Sequence, residues 1–151
     1  MSRVSEARQQ AFIEAPVEVV WDLISDVDRH PEWWPRVLEV NCGRLEPGCT
    51  FRELVQTPIG KSEMLLRVEA LDDREELTIR CLNTGTFFQM LLTEAQDGTF
   101  IDATFGMEPK TFQTRAFDLV AGRRYFRGWL EDSLAGMRDA VSARANAPGN
   151  L

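Results

Sequence analysis

The stretch from Ala116 to Ala145 has the periodicity of one long amphipathic helix. Large apolar residues recur in it at helical spacing: Phe126, Leu130, Leu134, Met137 and Val141. Residues at this spacing share one helix face, and the opposite face is charged. A start near Asp118 or earlier is predicted, because Arg123 and Arg124 would otherwise crowd the positive end of the helix dipole. Such a helix would span about 36 Å, so the rest of the chain must cover it with a broad apolar surface.

Turn signals divide the chain between Val37 and Pro109 into a series of short predicted strands. Its turn signals are Pro47–Gly48, Pro58–Gly60, Asp72–Asp73, Asn83–Gly85 and Asp97–Gly98. Apolar and polar residues alternate between these turns, most clearly over Ser62–Ala70, which predicts an antiparallel sheet with one covered face. The stretch Phe87–Leu92 is apolar on both faces except at Gln89, so its inward face stays open.

The N-terminal part adds a strand and two short helices. A first strand is predicted over Glu6–Glu14, followed by a helix that starts at Ala15–Glu18. A second helical turn runs through Trp34 and ends before Pro35, because the residue before a proline disfavours the helical region. The order predicts an α+β fold with about seven strands and the helices on one side of the sheet. One domain is expected over residues 1–151, with a frayed tail over about 146–151.

Composition excludes several classes of function. The chain has 151 residues, 44% of them hydrophobic, and a net charge of -7. An acidic chain without a basic cluster is a poor nucleic-acid binder, and no apolar run is long enough for a membrane span. Cys42, Cys49 and Cys81 show no CxxC spacing, so they are expected to be reduced and the protein cytoplasmic.

The residue types required for metal or nucleotide chemistry are sparse. The single histidine, His30, has no second His or Cys at ligand spacing, so no metal site is predicted. A capping or surface role is favoured for His30 over a role as catalytic base. No GxGxxG motif occurs, and no cofactor is predicted.

Two motifs and the element order together resemble a known superfamily. The stretches Ile13–Asp26 and Val27–Val37 resemble the opening of the START/Bet v 1-like (SRPBCC) superfamily, in the form seen in polyketide cyclase/dehydrase-like members. The strand Gly98–Pro109 and the terminal helix are similar to its closing elements. The resemblance implies a helix-grip fold, in which a curved antiparallel sheet wraps a long C-terminal helix and encloses a hydrophobic cavity. Members of the superfamily include lipid carriers, quinone-binding proteins and aromatase/cyclases.

Large side chains are expected to face the space between sheet and helix and to line that cavity. They are Phe51, Met64, Phe88, Met90, Phe105, Met107, Tyr125, Phe126 and Trp129. For Trp33 and Trp34 the favoured interpretation places one indole in the core and the other against the surface. The alternative, implied by the resemblance, places them at the cavity rim in contact with ligand.

The polar groups of such a cavity decide whether it could be catalytic. Gln89 and Tyr125 are candidate cavity groups, whereas alternation predicts that Arg80, Asp102 and Thr104 face outward. The leading hypothesis is binding of a lipid, quinone or polyketide-like compound under the first half of the long helix. The alternatives are a metal-independent cyclase/aromatase or dehydratase, and a protein-interaction module with a collapsed cavity. The oligomeric state stays open.

Overall fold

In the part of the chain that the structure describes, a strand, two short helices, six strands and a long helix follow one another. The computed structural model describes residues 5–26, 29–34, 37–41, 45–57, 60–108 and 123–145. The strands are β1 Ser5–Ile13, β2 Val37–Asn41, β3 Thr50–Thr57, β4 Gly60–Asp72, β5 Glu76–Cys81, β6 Thr86–Ala95 and β7 Gly98–Met107. The helices are α1 Val17–Ser25, α2 His30–Trp33 and α3 Arg123–Ala145.

All the strands join one antiparallel sheet. Its order is β1-β7-β6-β5-β4-β3-β2, so the first strand pairs with the last and the other neighbours are sequential hairpins. β1 and β7 are paired from Ser5 opposite Met107 to Ile13 opposite Thr99. The sheet curves around α3, and the predicted α+β helix-grip fold is confirmed.

The predicted stripe of α3 packs on the inner face of the sheet. Its members, Phe126, Leu130, Leu134, Met137 and Val141, are all buried. The predicted helix start near Asp118 and the tail over 146–151 lie outside the described residues.

The strand β6 has a definite inner face, which its sequence left open. Phe88 and Met90 are buried, whereas Phe87 and Gln89 are only half-buried on the other face. Phe88 stands opposite Phe105 of β7, whose inward direction follows from clear alternation. The register with its neighbour therefore fixes the orientation of β6.

A glycine allows α3 to approach α2 closely. A Cβ at Gly136 would overlap the backbone carbonyl oxygen of Trp33, whereas a Cβ at Gly128 would meet nothing within 4 Å. A backbone group cannot rotate aside as a side chain can. The contact between Gly136 and Trp33 therefore fixes the position of α2 on the long helix.

We expect Gly136→Ala to destabilise the protein by roughly 1–3 kcal/mol, as an overpacked contact does. Gly128→Ala is the matched control, and it should stabilise α3 by up to about 1 kcal/mol through helix propensity alone. Urea unfolding of the two variants measures both effects. Equal stability of the two variants would show that the close approach is not a constraint.

Candidate functional site

Five aromatic side chains meet beneath the first half of α3, and we call them the aromatic cluster: Trp33, Trp34, Phe88, Phe105 and Trp129. All of them are buried. The ring centre of Phe88 lies 4.9 Å from that of Phe105, 4.7 Å from that of Trp34 and 5.0 Å from that of Trp129, all with edge-to-face geometry. The predicted location of the ligand is thus the meeting point of α2, β6, β7 and α3. In this structure the rings of the cluster touch one another there.

Both indoles of the tryptophan pair belong to the interior. Trp33 and Trp34 are 2% and 1% exposed, and their rings stack 5.1 Å apart with only 3° between their planes. The favoured interpretation, with one indole against the surface, is wrong. The backbone leaves the helical conformation at Trp34, with φ -97° and ψ 103°, and both consecutive side chains reach the core.

The two indole N–H groups differ in their partners. The Trp33 Nε1–H donates to the backbone carbonyl of Leu23 at 3.1 Å. The buried Trp34 Nε1–H has no hydrogen-bond partner, and it is the single buried side-chain polar atom in this state among the described residues. A buried donor without a partner costs about 1–3 kcal/mol and is rare in proteins. Trp34 therefore has an unused hydrogen-bond donor within the aromatic cluster.

His30 lies in the core, paired with a carboxyl group. It is 0% exposed and Glu53 is 2% exposed, so of the capping or surface role expected for His30 the surface position is wrong. Its Nδ1 lies 2.6 Å from Glu53 Oε1, and its Nε2 lies 3.0 Å from the carbonyl oxygen of Ile24. A sequence signal for this pair exists: Glu53 is in phase with the apolar Phe51 and Val55, so alternation in β3 turns it inward.

The hydrogen bonds of His30 fix its protons. The Ile24 carbonyl can only accept, so Nε2 must carry a proton. The short contact between Nδ1 and Glu53 Oε1 needs one more proton between the two atoms. We therefore assign the pair two protons and no net charge, which avoids an uncompensated charge in the core.

The same contacts complete the end of α1. Carbonyl groups of the last turn of a helix lack partners within the helix. His30 donates to Ile24 and Trp33 donates to Leu23, so both side chains of α2 satisfy carbonyls of α1. A polar connection thus runs from α1 through α2 to Glu53 on β3.

The other predicted lining residues belong to the same hydrophobic core as the aromatic cluster. The buried ones outside the cluster are Phe51, Met64, Met90, Met107 and Phe126. Tyr125 is half-buried, and its ring centre lies 5.3 Å from that of Phe126 and 5.9 Å from that of Trp129. The structure therefore brings these side chains together, and Tyr125 places a hydroxyl-bearing ring next to the cluster.

Gln89 departs from its predicted place. It lies on the outer face of the sheet, because alternation in β6 directs its neighbours Phe88 and Met90 inward. There it lines a surface depression of about 460 Å³ together with Arg80, Asp102 and Thr104, which face outward as alternation predicts. Gln89 is therefore not a polar group of the interior.

That outer depression is dominated by paired charges. Arg8 donates from Nε to Asp102 at 2.9 Å, and this hydrogen bond lowers the pKa of the Asp102 carboxyl and raises that of Arg8. Arg80 is held between Glu69 and Glu108. Charges satisfied in this way explain the depression as ordinary solvated sheet surface.

Neither a cluster of metal ligands nor a membrane-spanning helix is found in the described ranges. No three His, Cys, Asp or Glu side chains converge there as metal ligands. No helix in the same ranges is long and apolar enough to cross a membrane.

An antiparallel sheet closed on one long helix, with an aromatic interior, defines a helix-grip domain. The sequence matches the family described as polyketide cyclase/dehydrase and lipid transport over residues 5–142. The protein belongs to this family, and the resemblance seen in its sequence is confirmed.

Solved structures of low sequence identity share the fold. A protein of Thermus thermophilus is 18% identical with a TM-score of 0.76, over 94% of this chain and 99% of the other. The Zhui aromatase/cyclase of Streptomyces is 17% identical with a TM-score of 0.73, over 99% of this chain and 100% of the other. A Staphylococcus aureus protein of unknown function is 12% identical with a TM-score of 0.76, over 97% and 98%. No curated protein matches the sequence.

We expect His30→Leu to destabilise the protein by about 3–5 kcal/mol, because it leaves Glu53 buried without a partner. The double variant His30→Leu/Glu53→Leu should recover part of this loss, since no buried charge then remains. Glu32→Ala is the control in the same helix, where it breaks only the exposed pair with Arg29. Urea unfolding measures all three, and a double variant less stable than His30→Leu would contradict the assignment.

Proposed function

We propose that the protein binds a flat apolar or aromatic small molecule that carries a hydrogen-bond acceptor, such as a quinone or polyketide-like compound. The ligand lies between the sheet and the first half of α3. The unpartnered N–H of Trp34 carries this proposal, because a buried donor gains free energy when an acceptor reaches it.

The surroundings of Trp34 suit an aromatic ligand. The edges and faces of Phe88, Phe105 and Trp129 surround its ring, and such groups favour stacked or edge-to-face contacts with another flat ring. Binding needs some of these rings to separate, since they touch one another. Methionine side chains are flexible and repack readily, so Met64, Met90 and Met107 on the same face help to accommodate the ligand.

The family supports the same class of function at a coarser level. Its description joins polyketide cyclase/dehydrase activity with lipid transport, both of which handle apolar molecules. One solved structure of this fold is described as an aromatase/cyclase. The fold alone does not choose between a carrier and an enzyme, so the choice rests on the groups at the site.

A matched pair of probes tests the proposed donor. Fluorenone and fluorene have nearly the same flat shape, but only fluorenone carries an acceptor. We expect the natural protein to bind fluorenone about tenfold more tightly, the equivalent of one buried hydrogen bond of about 1.4 kcal/mol. Trp34→Phe should remove this preference, as measured by equilibrium dialysis.

The outcomes separate the hypotheses. Failure of the natural protein to bind either probe would overturn the proposal and favour an interaction module whose interior is filled. Equal binding of both probes would overturn the role of Trp34 as donor. Gln89→Leu on the outer face is the control, and it should leave both affinities unchanged.

Tyr125 favours a second candidate function, a metal-independent cyclase or dehydratase. Its hydroxyl-bearing ring borders the aromatic cluster, where the phenol O–H could donate a proton to the carbonyl oxygen of a bound compound. A positioned acid–base group contributes about 10²–10⁴-fold to a rate.

For this candidate, we expect Tyr125→Phe to lower the turnover of a linear poly-β-ketone thioester by at least about 10²-fold while probe binding persists. Product formation followed by liquid chromatography measures the rate. Gln89→Leu should retain full turnover, and unchanged turnover in Tyr125→Phe would remove the catalytic assignment.

A further inference from the structure

The His30–Glu53 pair touches the tryptophans of the aromatic cluster. The His30 ring lies edge-on to both indoles, with its centre 5.0 Å from that of Trp34 and 5.4 Å from that of Trp33. Phe51 closes a third side at 6.5 Å. The Trp34 ring therefore packs directly against the His30 ring, so a change in the orientation of His30 would shift Trp34.

The short helix α2 depends on this pair for its position. It has four residues, too few to be stable as an isolated helix. Among the described residues, its polar side-chain ties are His30 to Ile24 of α1, His30 to Glu53 of β3, and Trp33 to Leu23 of α1, apart from the pair of Arg29 and Glu32. Glu53 supplies the tie to the sheet among these contacts.

We propose that His30 and Glu53 are positioning residues that orient Trp34, so that its indole N–H meets the acceptor of a bound ligand. This inference rests on the function proposed above. Both ring nitrogens of His30 are already engaged, and the pair is buried away from solvent. The pair thus acts through Trp34 and does not itself contact the ligand.

The chemistry of Glu53 provides a conservative variant. In Glu53→Gln, neutral His30 keeps its proton on Nε2 for the Ile24 carbonyl, and Nδ1 accepts from the new amide N–H. Both hydrogen bonds survive without a charge. In Glu53→Leu, Nδ1 loses its partner and the tie to β3 is gone. The two variants therefore separate the effect of the hydrogen bond to His30 from the effect of filling the space of the Glu53 side chain.

The test compares the ratio of fluorenone to fluorene affinity across variants by equilibrium dialysis. Glu53→Gln should keep the ratio within about twofold of the natural value near ten, whereas Glu53→Leu should bring it close to one. Near-ultraviolet circular dichroism reports the stacked indoles without any ligand. Glu53→Leu should change the signal of that pair, and Glu53→Gln should preserve it.

A remote destabilised variant controls for loss of stability. Thr99 is buried and donates to the Ala15 carbonyl at 2.9 Å, away from α2, so Thr99→Val loses one buried hydrogen bond. Its probe ratio and its indole signal should match those of the natural protein. If Glu53→Leu alone does not fold, the double variant His30→Leu/Glu53→Leu replaces it, with the same expected ratio near one.

Several results would overturn the inference. One is a fluorenone-to-fluorene affinity ratio in Glu53→Leu that equals the ratio of the natural protein. Another is an unchanged near-ultraviolet circular dichroism signal in that variant. An equal loss of both probes in Glu53→Leu would show a general structural role instead of positioning. Loss of the ratio in Trp34→Phe but not in Glu53→Leu would overturn this inference alone. Absence of any ratio in the natural protein would overturn the function proposed above and this inference with it.

Discussion

The last carbonyl groups of α1 impose the requirement on which this architecture depends. A buried carbonyl needs a donor, and the helix itself cannot supply one at its end. His30 and Trp33 meet that need at Ile24 and Leu23, so the four-residue α2 is bound to α1 by side chains. Glu53 then completes His30 from the sheet, and Gly136 lets α3 lie against the Trp33 backbone. Three elements, α1, the sheet and α3, thus all contact the short helix α2.

The neighbouring tryptophans divide two roles within one dipeptide. The Trp33 N–H donates a hydrogen bond to a backbone carbonyl, whereas the Trp34 N–H has no hydrogen-bond partner and lies among aromatic rings. Because the two rings stack, the position of the Trp34 ring depends on that of Trp33. In the proposed site, Trp33 therefore holds Trp34, whose indole N–H is the proposed hydrogen-bond donor.

Periodicity predicted the elements but not the contacts between side chains distant in sequence. The α3 stripe and the succession of strands along the chain followed from spacing, because burial of one face is a local property of the chain. The pairing of His30 with Glu53 links positions that only the tertiary fold brings together, although the inward phase of Glu53 was visible in β3. The inward face of β6 was undecidable because both of its faces are apolar. Only its register with β7 resolved it, and that placed Gln89 outside.

The pairing of β1 with β7 also has a consequence for the order of folding. Ser5 at one end of β1 lies opposite Met107, so β1 must wait for β7, which is synthesised about 90 residues later. Such long-range pairing closes a large loop and slows folding. Until β7 emerges from the ribosome, β1 has no partner in the sheet. The six sequential strands can assemble earlier as hairpins, so we expect the docking of β1 to be a late step.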